Sequence, residues 1–181
     1  MTSWGLASRA VFSGVGLHGG EPCSVRVEPH AGRGIWISRG GEPVPLTEAR
    51  WSRSARQSGL RLPGGEEIQT CEHLLAALAG LGIRDALLVC SGEEVPILDG
   101  SAAPFVEILE PLRVPLEGPV QELVLPAPVV VDEPHRGRFL AALPSEVLRL
   151  TVLLDYPDTP IGTLTETVEV TPERFARHIA P

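Results

Sequence analysis

Glycine and proline interrupt the chain so often that they decide what its first third can form. There are 19 glycines and 18 prolines in 181 residues. Between these breaks, residues 23–28 (C-S-V-R-V-E) alternate apolar and polar side chains with the period of a half-buried strand. Residues 35–37 (I-W-I) form a second candidate strand, and the turn residues 63–65 (P-G-G) predict a hairpin before Ile68. This pattern favours short antiparallel strands as far as about Leu62.

Two segments have helical patterns. Residues 70–79 contain strong helix formers, with Thr70 predicted as the N-cap and Gly80 and Gly82 as the stop. A second helix is predicted over 101–112, capped by Ser101 and with Pro104 in its first turn. Between them, the apolar run 86–90 (A-L-L-V-C) predicts a buried strand. The first part of the chain is therefore expected to be α+β, a two-layer sandwich of helices on a mostly antiparallel sheet.

A proline-rich stretch separates this part from a second block. We place the boundary near Glu117, which gives an N-terminal α+β domain over 1–117 and a second domain over 118–181. The second block has predicted strands at 129–131, 138–143 and 148–154. A helix start follows, with Thr171 as N-cap and Pro172 at the first helical position. A helix of about two turns is marginal alone, so we expect an incomplete second domain of similar architecture.

Charge and composition exclude several classes of protein. The net charge is −8, which disfavours nucleic acid as a partner because phosphate contacts need a basic surface. No apolar run approaches the ~18 residues of a membrane span, and no signal-peptide pattern opens the chain. Three widely spaced cysteines do not suggest a disulfide framework. We expect a soluble, cytoplasmic protein without a membrane span.

The pair Glu72–His73, at the predicted helix start, has the chemistry of a metal site. Imidazole is a common zinc ligand, and a neighbouring carboxylate can act as a general base on water. The pattern alone also fits a simpler interpretation, in which Glu72 interacts favourably with the helix dipole and His73 is partly buried. Short motifs of this kind do not decide between the two.

Two further segments have polar groups at turns. In residues 95–105 (V-P-I-L-D-G-S-A-A-P-F), Asp99 and Ser101 flank a tight turn before a helix, where backbone N–H groups can bind a polar substrate. They can equally satisfy the turn itself. Residues 14–20 (G-V-G-L-H-G-G) lack the lysine and the spacing of known phosphate loops. His18 in that segment is either a ligand, a proton shuttle or a residue that orders the turn.

Taken together, these segments resemble the UDP-3-O-acyl-N-acetylglucosamine deacetylase family of lipid A biosynthesis. Residues 14–20 are similar to the family's G-V-G-L-H-x-G. Residues 70–83 (T-C-E-H-L-L-A-A-L-A-G-L-G-I) are similar to T-x-E-H-L-L-A-A-L-x-G-L-G-I, and 96–105 to P-I-x-D-G-S-A-x-P-F. Shorter matches occur at 54–60, against T-x-R-x-T-x-L, and at 179–180, against the start of I-x-x-A-R-T-F.

The resemblance implies a zinc-dependent hydrolase with two similar α+β domains and an active site between them. It implies that His73 is the first zinc ligand and that Glu72 is the catalytic general base. The implied substrate is a UDP-linked acylated glucosamine, whose acetamide at the C2 nitrogen is hydrolysed. Through the segment 54–60, Arg56 and Ser58 become candidate substrate-binding residues. Asp99 is expected to shape its turn.

The sequence also departs from the family pattern. The family's other two zinc ligands lie in an H-K-x-x-D motif that this sequence lacks, and a further catalytic histidine is absent with it. Residues 155–161 (D-Y-P-D-T-P-I) lack the histidine of the family's D-x-x-H-P-x-I. Because a catalytic zinc site needs three protein ligands, we expect this chain alone to be inactive and unable to hold zinc tightly.

Three hypotheses follow from these departures. In the first, the chain is a fragment of an active deacetylase, completed by a C-terminal half or by self-association. In the second, it is a natural short relative without enzymatic activity that binds a sugar nucleotide or a protein partner. The third, an unrelated small hydrolase, is disfavoured by the matched motifs. An exposed apolar face on the second block would favour the first hypothesis, and a closed polar surface the second.

Overall fold

A computed structural model describes residues 3–54, 57–118 and 124–181, apart from the side chains of 53, 54 and 57. The chain divides into two compact units. Unit 1 comprises residues 1–118 together with 172–181, and unit 2 comprises 119–171. The mixture of helices and sheets confirms the α+β class.

As far as Leu62 the strands are short, as the glycine and proline pattern predicts. The strands of unit 1 are β1 (Trp4–Leu6), β2 (Ala10–Val15), β3 (Pro22–Glu28), β4 (Ile35–Ser38), β5 (Val44–Pro45), β6 (Arg50–Ser54), β7 (Gln57–Arg61), β8 (Glu67–Gln69), β9 (Ala86–Cys90) and β10 (Arg113–Pro115). Unit 2 contains β11 (Val129–Glu133), β12 (Arg138–Ala142), β13 (Arg149–Tyr156) and β14 (Gly162–Glu169). The helices are α1 (Glu72–Gly80), α2 (Ala103–Leu109) and α3 (Pro172–Arg174), and α3 continues as a π-helical turn over Phe175–Ile179.

A five-stranded sheet with the order β2-β3-β9-β4-β5 carries the core of unit 1. The predicted strand 86–90 is its central member, antiparallel to β3 and parallel to β4. Val25 and Val27 of β3 are fully buried, and they alternate with more exposed polar neighbours as the sequence predicts. A separate three-stranded sheet has the order β6-β7-β8. The predicted hairpin turn joins β7 to β8, with Gly65 at φ +97°.

Helices α1 and α2 bury apolar side chains from their inner faces, including Leu74 and Leu78 of α1 and Leu109 of α2. The ring of Phe105 lies 4.8 Å from that of Phe12 on β2, measured between centroids. This contact attaches α2 to the five-stranded sheet.

The predicted N-cap of α1 is wrong. The residue before the helix is Cys71, and no side chain caps it. Thr70 instead has φ +56°, and its hydroxyl donates a hydrogen bond to Glu94. A tertiary contact thus replaces the local cap. At the other end, the helix stops at Gly80 as predicted, and Gly82 follows with φ +71°.

The predicted cap of α2 is wrong, because the residue before the helix is Ala102 and no side chain caps it. Ser101 lies one residue earlier, and its Oγ accepts a hydrogen bond of 3.1 Å from the N–H of Ala103, the first helical residue. Pro104 lies in the first turn, as predicted. The α-helix ends at Leu109, and a 3₁₀ turn over Glu110–Leu112 covers the rest of the predicted span.

The last ten residues pack within unit 1. Phe175 is buried, and its ring lies directly over Gly80, where a Cβ would overlap it. The carbonyl of Ala180 accepts a hydrogen bond of 2.9 Å from the N–H of Ala102. The helical segment predicted to begin after Thr171 therefore rests on α1 and on the residue that precedes α2.

Unit 2 consists of two antiparallel hairpins, β11–β12 and β13–β14. The three predicted strands are present, and sequence analysis missed the fourth, β14. On β13–β14, Leu150, Val152, Leu154 and Leu164 share one face. All four side chains are exposed. None of the helices in the described residues has the length and apolarity that crossing a membrane would require.

Candidate active site

Glu72 opens α1, in the first turn of the helix where the unpaired N–H groups and the dipole favour a carboxylate. The side chain is partly buried. One of its carboxylate oxygens, Oε2, is shielded from solvent and has no hydrogen-bond partner among the described residues. Because buried polar atoms are nearly always paired, this oxygen marks a position where a proton donor or a cation is expected.

His73, the next residue, is also partly buried. His73 interacts electrostatically with Asp99, which lies in the D-G-S turn. The N–H and hydroxyl of Ser101 donate hydrogen bonds of 2.8 and 2.9 Å to Asp99 Oδ1. These bonds lower the pKa of Asp99, and the charge of His73 adds a smaller decrease. Two of the sequence motifs, the Glu-His pair and the D-G-S turn, therefore lie within electrostatic range of each other.

Asp99 shapes its turn, as the sequence predicts. Both hydrogen bonds come from Ser101, two residues further on, and the preceding Leu98 has φ +55°. The residue before Leu98 contacts the third motif, because the N–H of Ile97 donates a hydrogen bond of 3.1 Å to the carbonyl of Val15. The glycine-rich segment 14–20 therefore packs on the segment that leads into the D-G-S turn.

Glu94 connects this glycine-rich segment to the start of α1, and sequence analysis missed it. The residue is buried, with 7% of its surface exposed. It accepts hydrogen bonds from the backbone N–H groups of His18, at 3.1 Å, and Gly19, at 2.7 Å. A third bond, of 2.8 Å, comes from the hydroxyl of Thr70. Nothing in the sequence distinguishes Glu94 from Glu93, whose side chain is 74% exposed.

The three hydrogen bonds also determine the charge of Glu94. Burial raises the pKa of this carboxyl, but the bonds from Gly19, His18 and Thr70 outweigh burial, and its pKa lies below the usual range. Glu94 is therefore ionised at neutral pH. A buried carboxylate with donors from two separate segments is a strong structural link between them.

Of the two candidate substrate-binding residues, Arg56 lies outside the described residues and Ser58 lies within them. Ser58 is on β7 and partly buried. Its carbonyl accepts hydrogen bonds of 3.5 Å from both the N–H and the thiol of Cys71. Ser58 therefore lies against the residue that precedes Glu72.

The other histidines have separate surroundings. The ring of His30 packs on that of Trp36, at 4.9 Å between centroids. His135 is in a 3₁₀ turn of unit 2 and His178 in the last helical turn. Across the described ranges, no group of three or more His, Cys, Asp or Glu side chains is placed to hold a metal ion. His73 and Glu72 suit one ligand and one base of a zinc site, and the described chain brings no full ligand set.

The fold and these residues define an α+β protein with a carboxylate–imidazole pair at a helix start. Metal-dependent hydrolases use this combination to activate water. Residues 4–181 match the family described as UDP-3-O-acyl N-acetylglycosamine deacetylase (LpxC). The chain belongs to this family, which confirms the resemblance seen in the sequence.

Individual relatives support the same family assignment. The chain is 36% identical to the UDP-3-O-acyl-N-acetylglucosamine deacetylase of Thermosynechococcus vestitus, over 97% of this chain and 62% of the relative. It is 34% identical to the enzyme of the same name from Chlamydia muridarum, over 97% of this chain and 63% of the relative. It is 35% identical to the protein of the same name from Synechocystis, over 93% of this chain and 63% of the relative. The chain thus spans less than two thirds of the length of these relatives.

Proposed function

We propose that this chain supplies part of a zinc-dependent deacetylase that removes the N-acetyl group of UDP-3-O-acyl-N-acetylglucosamine, a reaction of lipid A biosynthesis in the cytoplasm. Family membership over residues 4–181 supports the reaction class. In this proposal Glu72 is the catalytic general base and His73 is one zinc ligand.

The observation that carries the proposal is the unpartnered Oε2 atom of Glu72. A buried carboxylate oxygen without a donor is destabilising by roughly 1–3 kcal/mol or more. A purely structural role at the helix N-terminus would leave no reason to bury this atom without a partner. A general base must lie within hydrogen-bond reach of the proton that it takes, and an oxygen with no donor bound to it can accept one.

The steps assigned to this chain are proton transfers and binding. Glu72 takes a proton from the attacking water and passes it to the departing amine nitrogen. His73 contributes an imidazole nitrogen to the metal site. Zinc, when bound, polarises the acetamide carbonyl and lowers the pKa of water. Arg56 and Ser58 are proposed to bind the substrate, and for Ser58 its contact with Cys71 supports a place near the base.

We further propose that residues beyond this chain complete the site. Catalytic zinc sites use three protein ligands, and His73 is the one ligand assigned here. Unit 2 exposes an apolar sheet face that includes Val152, 54% exposed, and Leu164, 54% exposed. Such a face favours a missing covering segment over a closed short form. The covering segment would continue a second domain that begins near residue 118, and pairing of two copies of this chain is the alternative source.

The roles of Glu72 and His73 are tested in a protein assembled from this chain and the C-terminal remainder of the 36% identical Thermosynechococcus relative. Glu72→Ala should lower turnover by at least about 100-fold, the usual contribution of a general base, while zinc stays bound. His73→Ala should instead lose the zinc, because a ligand is removed.

The matched control is Glu107→Ala, which removes an exposed carboxylate from α2. It should change neither turnover nor zinc content. If the Glu72→Ala protein kept its turnover, the assignment of the base would be wrong. If the His73→Ala protein kept its zinc, the assignment of the ligand would be wrong.

A further inference from the structure

The carboxylate of Glu94 lies at a junction of three chain segments. Its own segment is attached to the end of β8 by backbone bonds: Gln69 N–H donates to Glu93 O at 2.7 Å, and Val95 N–H donates to Gln69 O at 3.0 Å. Ile97 N–H donates to Val15 O at 3.1 Å and attaches the same segment to β2. The Glu94 side chain adds its bonds to His18, Gly19 and Thr70.

The glycine-rich segment is shaped to enclose this carboxylate. A Cβ at Gly16 would overlap the carboxylate of Glu94, and a Cβ at Gly19 would lie 3.1 Å from its Oε2 atom. The segment also closes on itself, since Gly20 N–H donates to Gly16 O at 3.1 Å. Glycine at positions 16 and 19 therefore has a steric reason, which is the close approach of the backbone to a charged side chain.

Thr70 is the second group that Glu94 holds. It is a β-branched residue at φ +56°, a conformation that such residues avoid. It is 2% exposed, and its hydroxyl donates to Glu94 Oε1. Thr70 stands two residues before Glu72, so its backbone conformation sets the direction in which α1 starts. Strain of this kind persists only where surrounding contacts enforce it.

We propose that Glu94 is a positioning residue, which holds Thr70 in the left-handed turn that aims Glu72 and His73 and fixes the His18–Gly19 backbone to the same carboxylate. The inference rests on the proposed function of Glu72 and His73, because it explains how their directions are set. Glu94 itself acts through Thr70 and takes no part in the chemistry.

The test compares four variants of the 181-residue chain by NMR at one fixed pH. Glu94→Gln removes the charge and one acceptor, and Thr70→Val removes the hydroxyl while keeping the shape. Thr70→Ser keeps the hydroxyl, and Glu93→Gln is the matched control on the exposed neighbouring carboxylate. The readouts are the ring resonances of His73 and the hydrogen exchange of the Gly19 amide. Unchanged resonances from the buried β3 and β9 side chains show that each variant is folded.

Glu94→Gln should speed exchange at Gly19 by at least about tenfold, as the loss of a charge-assisted hydrogen bond requires. Glu94→Gln and Thr70→Val should both move the His73 ring resonances, whereas Thr70→Ser and Glu93→Gln should leave them in place. If Glu94→Gln fails to fold, Thr70→Val decides, because it leaves the charge intact.

Unmoved His73 resonances in folded Thr70→Val would overturn the positioning role, as would unchanged exchange at Gly19 in folded Glu94→Gln. These readouts need neither zinc nor turnover. A wrong base or ligand assignment would be detected by the turnover and zinc measurements, whereas a wrong positioning role would be detected by the NMR resonances of His73 and the amide exchange of Gly19.

Discussion

At the scale of single residues, the Glu72–His73 pair and the Asp99 turn are both preceded by a non-glycine residue with positive φ. Thr70 precedes Glu72 by two positions and Leu98 precedes Asp99 by one, and both non-glycine residues have positive φ, +56° and +55°. Each such conformation costs on the order of 1–3 kcal/mol. Both strained residues lie one or two positions before a candidate acidic side chain, and backbone strain of this kind is typical of functional sites.

The cysteines give a prediction at the same scale. All three are free thiols and buried. Burial, the largest cause, raises the pKa of Cys71 to about 11 and that of Cys90 to about 12. Since an unfolded thiol ionises near pH 8.5, the unfolded state loses protons before the native state does. The free energy of unfolding should therefore fall as the pH rises above about 8.5, and keep falling up to the folded pKa values.

Urea unfolding curves between pH 7 and 10 measure this slope. Cys90→Ala should reduce the slope, because it removes the thiol with the most strongly raised pKa. Thiol reagents at pH 8 should label the native chain far more slowly than the unfolded chain. Rapid native labelling of Cys71 or Cys90 would show that these thiols are accessible and would contradict their placement in the core.

At the scale of elements, the features that depend on local pattern were predictable from the sequence. The strands at 23–28, 35–37 and 86–90 and the two helices come from periodicity and from glycine and proline positions, and all are present. The cap of α1 could not be read from the sequence, because the hydroxyl of Thr70 bonds to a residue 24 positions away. Glu94 was missed for the same reason. Strand β14 was missed because Glu166 interrupts the alternation of polar and apolar side chains in residues 163–168 (T-L-T-E-T-V).

The packing of the last helical segment on α1 gives an element-scale prediction. A methyl group at Gly80 would overlap the ring of Phe175. Gly80→Ala should therefore destabilise the chain by about 1–3 kcal/mol from overpacking, despite the better helix propensity of alanine. The free energy of unfolding in urea measures this loss.

The control is the same change in a Phe175→Ala background, where the ring is absent. Gly80→Ala should then be neutral or stabilising, since alanine gains up to about 1 kcal/mol in a helix. An equal loss in both backgrounds would mean that the residue at position 80 does not contact the segment 172–181.

At the scale of the whole molecule, the main feature of unit 2 is an exposed apolar sheet face, which a further segment would be expected to cover. Leu150, Val152 and Leu154 line one face of β13, and the opposite face carries Thr151, Leu153 and Asp155, with Thr163, Thr165 and Thr167 across on β14. The first face is the more apolar of the two, as in a sheet with one buried face, yet both faces are exposed here. A lone two-stranded hairpin is at best marginally stable.

We therefore predict that the native 181-residue chain binds a hydrophobic dye such as ANS. Val152→Thr should weaken the dye signal and change the stability by less than about 0.5 kcal/mol, because the side chain is 54% exposed. Thr165→Ser on the opposite face is the control and should leave the dye signal unchanged. A chain that binds no dye would indicate that the apolar face is already covered, for example in a self-associated form.

The measurement that tests the account most directly is the zinc content and deacetylase turnover of the purified 181-residue chain, with UDP-3-O-acyl-N-acetylglucosamine as substrate. Because His73 is the one zinc ligand assigned to this chain, we predict well under one zinc per chain and no turnover when it is alone. Both should appear when the C-terminal remainder of a relative is joined to it. One zinc per chain together with turnover by the chain alone would contradict the account.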